Sequence, residues 1–219
     1  MTRSEIKTLV LHWLDDPNGT YFTDTLLNTW IDLAQREVQK RLVLAGESYY
    51  VKPVETLTVA SQADYVLPTD FIALHRVEYI VSGTAPNEVV IPLKFITLNQ
   101  KDNVSQGLGT PTVYYMKKDR IVLLQTPDST NKVLRIWYSP MVANIASNSD
   151  DPDVPEHFQE LVAILAAENG FIKDDRVKSN LDSKKKGYEE MLEQMKEERA
   201  QDQSRQVIVT NDYESGIVF

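Results

Sequence analysis

The chain has 219 residues, no cysteine and a formal net charge of −9. That length can bury a full core, as one large domain or two small ones. The missing thiols exclude a disulfide framework and thiolate metal sites, and the acidic balance excludes a surface that attracts duplex phosphates over its whole area.

Residues 3–15 carry Ile6, Leu9, Val10, Trp13 and Leu14 on one stripe, with Thr2 and Glu5 spaced as a capping box. This spacing predicts a first helix, closed by the turn signal Pro17-Asn18-Gly19. Thr23 is a good N-cap for a second helix reaching residue 45. There Leu26, Leu27, Trp30, Ile31, Ala34, Val38 and Leu42 recur at helical spacing, and Gly46 supplies the stop. The short connection makes the two helices antiparallel neighbours.

From Tyr49 the period changes to alternation: Val54, Thr56 and Thr58 against Glu55, Leu57 and Val59. Further strand-like segments are expected at 64–67, 74–81, 89–93, 111–117, 121–125 and 133–138. Ser82-Gly83, Pro86-Asn87, Lys118-Asp119 and Asp128-Ser129 punctuate them as turns, and 116–121 is short enough for a hairpin. The block has enough strands for a small sandwich or barrel-like sheet. Gly107-Leu108-Gly109-Thr110 precedes a proline and a strand, so it is a loop with no phosphate-binding role.

Residues 144–153 form a polar connector. Beyond it, 153–173 opens with Asp153 and Glu156 at capping-box spacing and with Pro155 suited to a first turn. Phe158, Leu161, Val162, Ile164, Leu165 and Ile172 spread around more than one face, while Ala163, Ala166, Ala167 and Gly170 let neighbours approach closely. A helix apolar on most sides is a core helix. A fourth helix, 176–203, has only a narrow stripe of Val177, Leu181, Tyr188, Met191, Leu192 and Met195, as on the outside of a bundle or at a subunit contact. Residues 206–219 are apolar at both ends, with no core of their own to join.

The fold class read from this order is α+β. A helical bundle is built from 1–48 and 150–205 around Trp13, Trp30, Phe158, Leu161 and Leu165. An antiparallel β-rich domain, 49–149, is inserted in it, and 206–219 is an extended C-terminal tail. The longest uninterrupted apolar run, 161–167, is far short of a bilayer span, so no membrane association is expected. No signal peptide follows Met1, since Glu5 and Lys7 already belong to an amphipathic pattern, and synthesis in the cytoplasm is expected.

Catalytic chemistry has little support. Phosphate loops, dinucleotide fingerprints and nucleophile elbows are absent, and His12, His75 and His157 lie in three different elements. Asp150, Asp151, Asp153, Glu156 and His157 could hold a divalent cation, which would make a metal-dependent enzyme. They lack the spacing of a calcium loop, and acids gather at helix N-termini for electrostatic reasons alone. The basic runs Lys117, Lys118, Arg120 and Lys184, Lys185, Lys186 read as solvated faces. The pairs Tyr49-Tyr50, Tyr114-Tyr115 and Trp137-Tyr138 read as sheet packing, one of each pair inward. No catalytic, metal or cofactor residue is assigned.

Five stretches, in this order, carry a resemblance. They are YFTDTLLNTWIDLAQREVQKRL from Tyr21, YVLPTDFIALHRVEYI from Tyr65, GTPTVYYMKKDRIVLLQTPD from Gly109, IWYSP from Ile136 and VPEHFQELVAILAAENGF from Val154. Together they resemble the head-to-tail adaptor (connector) proteins of tailed bacteriophages, including the tail tubular protein A type. The resemblance implies a structural virion protein of the neck and tail, with no catalytic residues and no cofactor. It implies a closed ring of about twelve copies beneath the portal protein, built from heterologous contacts. It further implies neighbouring subunits and the next tail or nozzle component as partners, with DNA passing through the lumen without sequence-specific binding. An acidic ring suits such a channel. Another neck or tail-completion protein would share this fold logic. From its composition, the tail is expected to dock on the portal or a neighbouring subunit through Val207, Ile208, Val209, Tyr213, Ile217, Val218 and Phe219.

Overall fold

The structure, a computed structural model, describes the backbone of residues 1–46, 48–174 and 179–214, and the side chains of 1–46, 48–174 and 181–199. The chain divides into two compact units, residues 1–49 with 142–219, and residues 50–141.

The first unit is helical. Helix α1 (Arg3–Trp13) starts at the expected capping box: the Glu5 amide donates to Thr2 Oγ1 at 3.2 Å and the Thr2 amide to Glu5 Oε2 at 2.8 Å. It buries Ile6, Val10 and Leu14. Trp13, expected in the core, is only half-buried, because Leu14 takes the inward place at the helix end. The Trp13 ring is instead covered by Lys184, whose Nζ lies 5.9 Å from its centroid. Helix α2 (Asp24–Leu44) buries Leu27, Trp30, Ile31, Ala34, Val38 and Leu42. Thr23 stands at its N-cap without a side-chain cap bond, and Gly46 follows its end with φ of +82°, a left-handed turn open to glycine.

Helix α3 (Gln159–Lys173) packs mainly on α2 and α1. Leu161 through Ala167 are all buried, which is why no single face of this helix is polar. Phe158 is buried just ahead of it, while Ile172 is 68% exposed beyond the packed turns. The helix begins later than its sequence suggests, with a 3₁₀ turn, Glu156–Phe158, standing where the capping box was expected. Pro155 lacks an N–H, and the Asp153 amide donates to Gln35 Oε1 at 2.9 Å instead of entering a helical turn. Helix α4 (Ser179–Glu214) lies on α3 and α2, burying Leu181 and Leu192.

The assignment of α4 corrects the extended tail over residues 206–214, whose backbone is helical. Extending an existing helix by one residue is far easier than nucleating a new element, so β-branched Val207, Ile208 and Val209 are carried along. The side chains of Val207, Ile208, Val209 and Tyr213, and all of Ile217, Val218 and Phe219, lie outside the described residues.

The second unit has two four-stranded sheets sharing one core and a third, two-stranded sheet. The strands in chain order are β1 (Lys52–Leu57), β2 (Asp64–Val66), β3 (Phe71–Ser82), β4 (Val89–Pro92) and β5 (Lys94–Phe95). They continue with β6 (Gly107–Leu108), β7 (Val113–Lys117), β8 (Arg120–Leu123), β9 (Gln125–Thr126) and β10 (Val133–Pro140). One sheet has the order β1-β10-β3-β4 and is antiparallel throughout; the other has the order β2-β8-β7-β5. Val77, Tyr79, Leu134, Ile136 and Tyr138 from the first meet Tyr65, Tyr114, Ile121 and Leu123 from the second. Each set sits at alternate positions, as the pleat requires.

Two expectations for this unit are corrected. The sheets are not wholly antiparallel: β5 pairs β7, and β6 pairs β9, in parallel. The Gly107–Leu108 loop thereby contributes a short strand. Tyr114 and Tyr115 are both buried, although a half-exposed strand would bury one. The sheet carrying them has a second layer, in which Tyr115, Val122 and Leu124 pack with Ile96 and Val104.

Candidate functional site

The acidic segment read as a possible cation site is spent on structure. Among the described residues no group of three or more His, Asp or Glu side chains converges so as to hold a metal ion. Asp150 Oδ2 accepts the Ser147 amide at 3.0 Å, and its carbonyl accepts the Arg3 amide at 2.9 Å. The Asn148 carbonyl accepts the Ser4 amide at 3.0 Å, so the connector satisfies free N–H groups at the start of α1. Asp151 lies 3.9 Å from the Met1 ammonium, and His157 packs its ring on Phe158 at 4.4 Å between centroids. Pro152, Val154 and Phe158 point inward between exposed acids.

What organises this region is a polar row on α2 that sequence reading missed. Asp32 Oδ1 accepts the Ile145 amide at 3.1 Å, and Gln39 Oε1 accepts the Val142 amide at 3.0 Å. Gln35 donates through Nε2 to the Ala143 carbonyl at 2.8 Å, besides accepting from Asp153. Arg36 donates to Asn144 Oδ1 at 2.5 Å. These side chains recur three or four residues apart on one helical face, which is the signal that could have exposed them. Arg3 reaches Asp32 at 2.6 Å, and Lys7 reaches Asp24 at 2.6 Å and Asn148 at 2.7 Å. Gln35 and Gln39 are almost wholly buried and bonded, so the connector is locked to the helices residue by residue.

The lysine run on α4 divides. Lys184 donates to Glu160 Oε1 at 2.6 Å and Lys185 to Glu168 at 2.9 and 3.1 Å, while Lys186 is exposed. The first two therefore fasten α4 to α3. Tyr188 donates to Glu160 Oε2 at 2.9 Å. Burial together with that carboxylate pushes the Tyr188 phenol up to about 12, and the Lys184 ammonium holds the Glu160 carboxyl below its ordinary value. Between α2 and α4 an open groove of about 460 Å³ is lined by Arg41, Leu44, Leu192 and Lys196.

On the β unit, Arg135 stands in one cross-strand row with Glu55 and Glu78. It donates to Glu55 at 2.7 Å and to both Glu88 oxygens at 2.8 and 2.9 Å. Glu78, almost fully buried, also accepts the Trp137 indole N–H at 3.0 Å. The Glu88 and Glu55 carboxylates push the Arg135 guanidinium upward, and Arg135 holds Glu88 down. His75 is lowered by burial and shares a 2.7 Å hydrogen bond with the buried Ser139 hydroxyl. Lys117, Lys118 and Arg120 sit at the exposed tip of the β7–β8 hairpin, where Lys117 pairs with Arg120 in register.

Charge is unevenly shared. The helical unit holds fourteen Lys and Arg against twenty-four Asp and Glu, a net −10. The β unit holds nine against eight, a net +1. Buried polar linkages and charge asymmetry are features that an assembly component presents. A protein-family model, that of the SU10 adaptor protein, matches residues 1–211. The chain belongs to the SU10 adaptor protein family. No curated protein matches it. The adaptor is a structural component of a bacteriophage, in the virion neck, and the match covers both units and stops just short of residues 212–219. No described helix of the adaptor is long and apolar enough to cross a membrane.

Proposed function

We propose that the adaptor forms a closed ring of about twelve copies beneath the portal protein, joined by heterologous contacts. In this reading the ring extends the DNA channel and offers a platform to the next tail component, in the manner of the tail tubular protein A type. The observation that carries it is the family match over residues 1–211. The terminal helices form the portal-proximal bundle and the β unit part of the ring wall. The concentration of negative charge in the helical unit supports a lumen through which DNA slides without sequence-specific binding. Val207, Ile208, Val209, Tyr213, Ile217, Val218 and Phe219 act as a portal or subunit contact, a role supported by their apolar composition. The protein is made in the host cytoplasm and enters the virion at assembly.

Electron microscopy of the adaptor mixed with purified portal tests this reading. A ring seated on the portal is the expected image, with a monomer or small oligomer in sedimentation of the adaptor alone. A stable large ring without portal, or no portal complex at micromolar concentrations, would overturn it.

A further inference from the structure

We propose that a cleft beside the cationic hairpin of the β unit receives the C-terminal segment, residues 212–219, of a second copy of this chain. The proposal rests on the ring reading and names one of its subunit contacts.

Four observations converge on the cleft. It measures about 410 Å³ and is lined by Val66, Leu67, Pro68, Phe71, Lys118 and Asp119. Val66 is 54% exposed, so the cleft offers apolar surface that no described residue covers. Val66 also ends β2, an edge strand of its sheet. The Leu67 amide bonds to the Asp119 carbonyl and the Leu123 amide to the Ala63 carbonyl, which places the inward rungs at Leu67, Tyr65 and Ala63. By alternation the Val66 N–H and carbonyl face outward, ready for an added strand. Finally, Lys117, Lys118 and Arg120 stand beside it, and among the described residues none has a carboxylate partner. Lys52, Arg76 and Arg135 of the same unit do, and Lys94, Lys101 and Lys132, which lack one as well, do not line the cleft.

The occupant is chosen by complementarity. The segment 212–219 reads DYESGIVF: two acids, a tyrosine and an apolar triplet in eight residues. Asp212 and Glu214 fall in the last turn of α4, which holds no basic residue. Acids at that end oppose the helix dipole and call for cations from outside. Three unpaired cations beside an apolar cleft and a free strand edge match acids next to Ile217, Val218 and Phe219. Duplex DNA would use the cations but has no need of the apolar cleft or of the free strand edge. A head-to-tail contact of cleft with segment is heterologous, as ring closure requires.

The chain has no cysteine, so disulfide trapping between copies is free of background. Full-length Val66→Cys and Ile217→Cys are mixed and oxidised, with Thr130→Cys, exposed in the turn before β10, replacing Val66→Cys as the control. The Val66–Ile217 pair is expected to cross-link at least about tenfold faster than the control, and Lys117→Glu with Lys118→Glu to cut that rate about tenfold. Equal rates for the two pairs, or indifference to the charge reversals, would overturn the proposal. Duplex binding lost on the same reversals while cross-linking is unchanged would assign the cations to DNA and also overturn it. Cross-linked pairs that never grow into rings on the portal would uphold the cleft and remove the ring reading alone.

Discussion

Replacing Gly170 by alanine sets two effects of opposite sign against each other. In a free helix the change stabilises by about 1 kcal/mol, since glycine loses more backbone freedom on folding. Here an added Cβ would stand 2.4 Å from Leu14 Cδ1, 2.7 Å from Cδ2 and 3.1 Å from Cγ. Leu14 must then change rotamer, or α1 must move off α3. Leu14 is 2% exposed, and repacking such a side chain off its rotamer costs about 1–3 kcal/mol. With the propensity gain subtracted, Gly170→Ala is expected to destabilise by up to about 2 kcal/mol. Leu14→Ala alone leaves a cavity and costs about 2–5 kcal/mol. In the double variant the new methyl enters the space Leu14 vacates, so the two losses fall short of additivity by about 1–2 kcal/mol. Urea midpoints at unchanged denaturant slope measure all four corners of the cycle. A Gly170→Ala variant more stable than the parent, or strict additivity, would refute the close packing of α1 on α3.

Further expectations concern other parts of the chain. Leu165→Ala should cost about 2–5 kcal/mol and the exposed Glu193→Ala under about 0.5 kcal/mol; equal urea midpoints would remove α3 from the centre of its unit. Arg135→Ala removes the two parallel bonds to Glu88 and the bond to Glu55, while Glu78 keeps Arg76 and Trp137, and should lower the urea midpoint, with Arg135→Lys recovering only part because it cannot hold Glu88 by two parallel bonds. On the acid side, the Phe22, Tyr21 and Thr20 amides hold Asp16 below its ordinary 3.8, and Lys184 holds Glu160 below 4.5. Both contribute stability that is present above those ordinary values and lost as pH falls through the lowered ones, so thermal scans should show melting temperatures dropping below about pH 4 and less steeply in Asp16→Asn. Tyr188 acts on the alkaline side: its contribution is intact below the ordinary 10.0 and lost as pH rises towards 12, a limb that Tyr188→Phe should flatten. Deleting 206–219 should leave the thermal stability of the isolated adaptor nearly unchanged while weakening portal binding; early unfolding would show that the segment belongs to its own unit.

Much of the element plan was legible in the sequence because local patterns report local structure. Thr2 and Glu5 marked the start of α1, the spacing from Leu26 to Leu42 marked α2, and strand-like segments at 74–81 and 133–138 marked β3 and β10. The unbroken apolar run of α3 told that neighbours surround it, without telling which. The five stretches in their order resemble the phage head-to-tail adaptors, and the match over residues 1–211 shows that family.

Tertiary structure decided what depends on partners distant in sequence. Whether Asp153 caps a helix was settled by Gln35, more than a hundred residues earlier, which takes its amide. Whether Tyr115 faces water was settled by Ile96 and Val104, which add a layer that alternation within β7 cannot reveal. Lys184, Lys185, Lys117 and Lys118 look alike in sequence, and only the fold separates them: two meet Glu160 and Glu168 on α3, and two are left at a hairpin tip. Propensity and period act over one or two turns of chain, whereas a polar or charged side chain takes its role from the group the fold sets within about 3 Å of it.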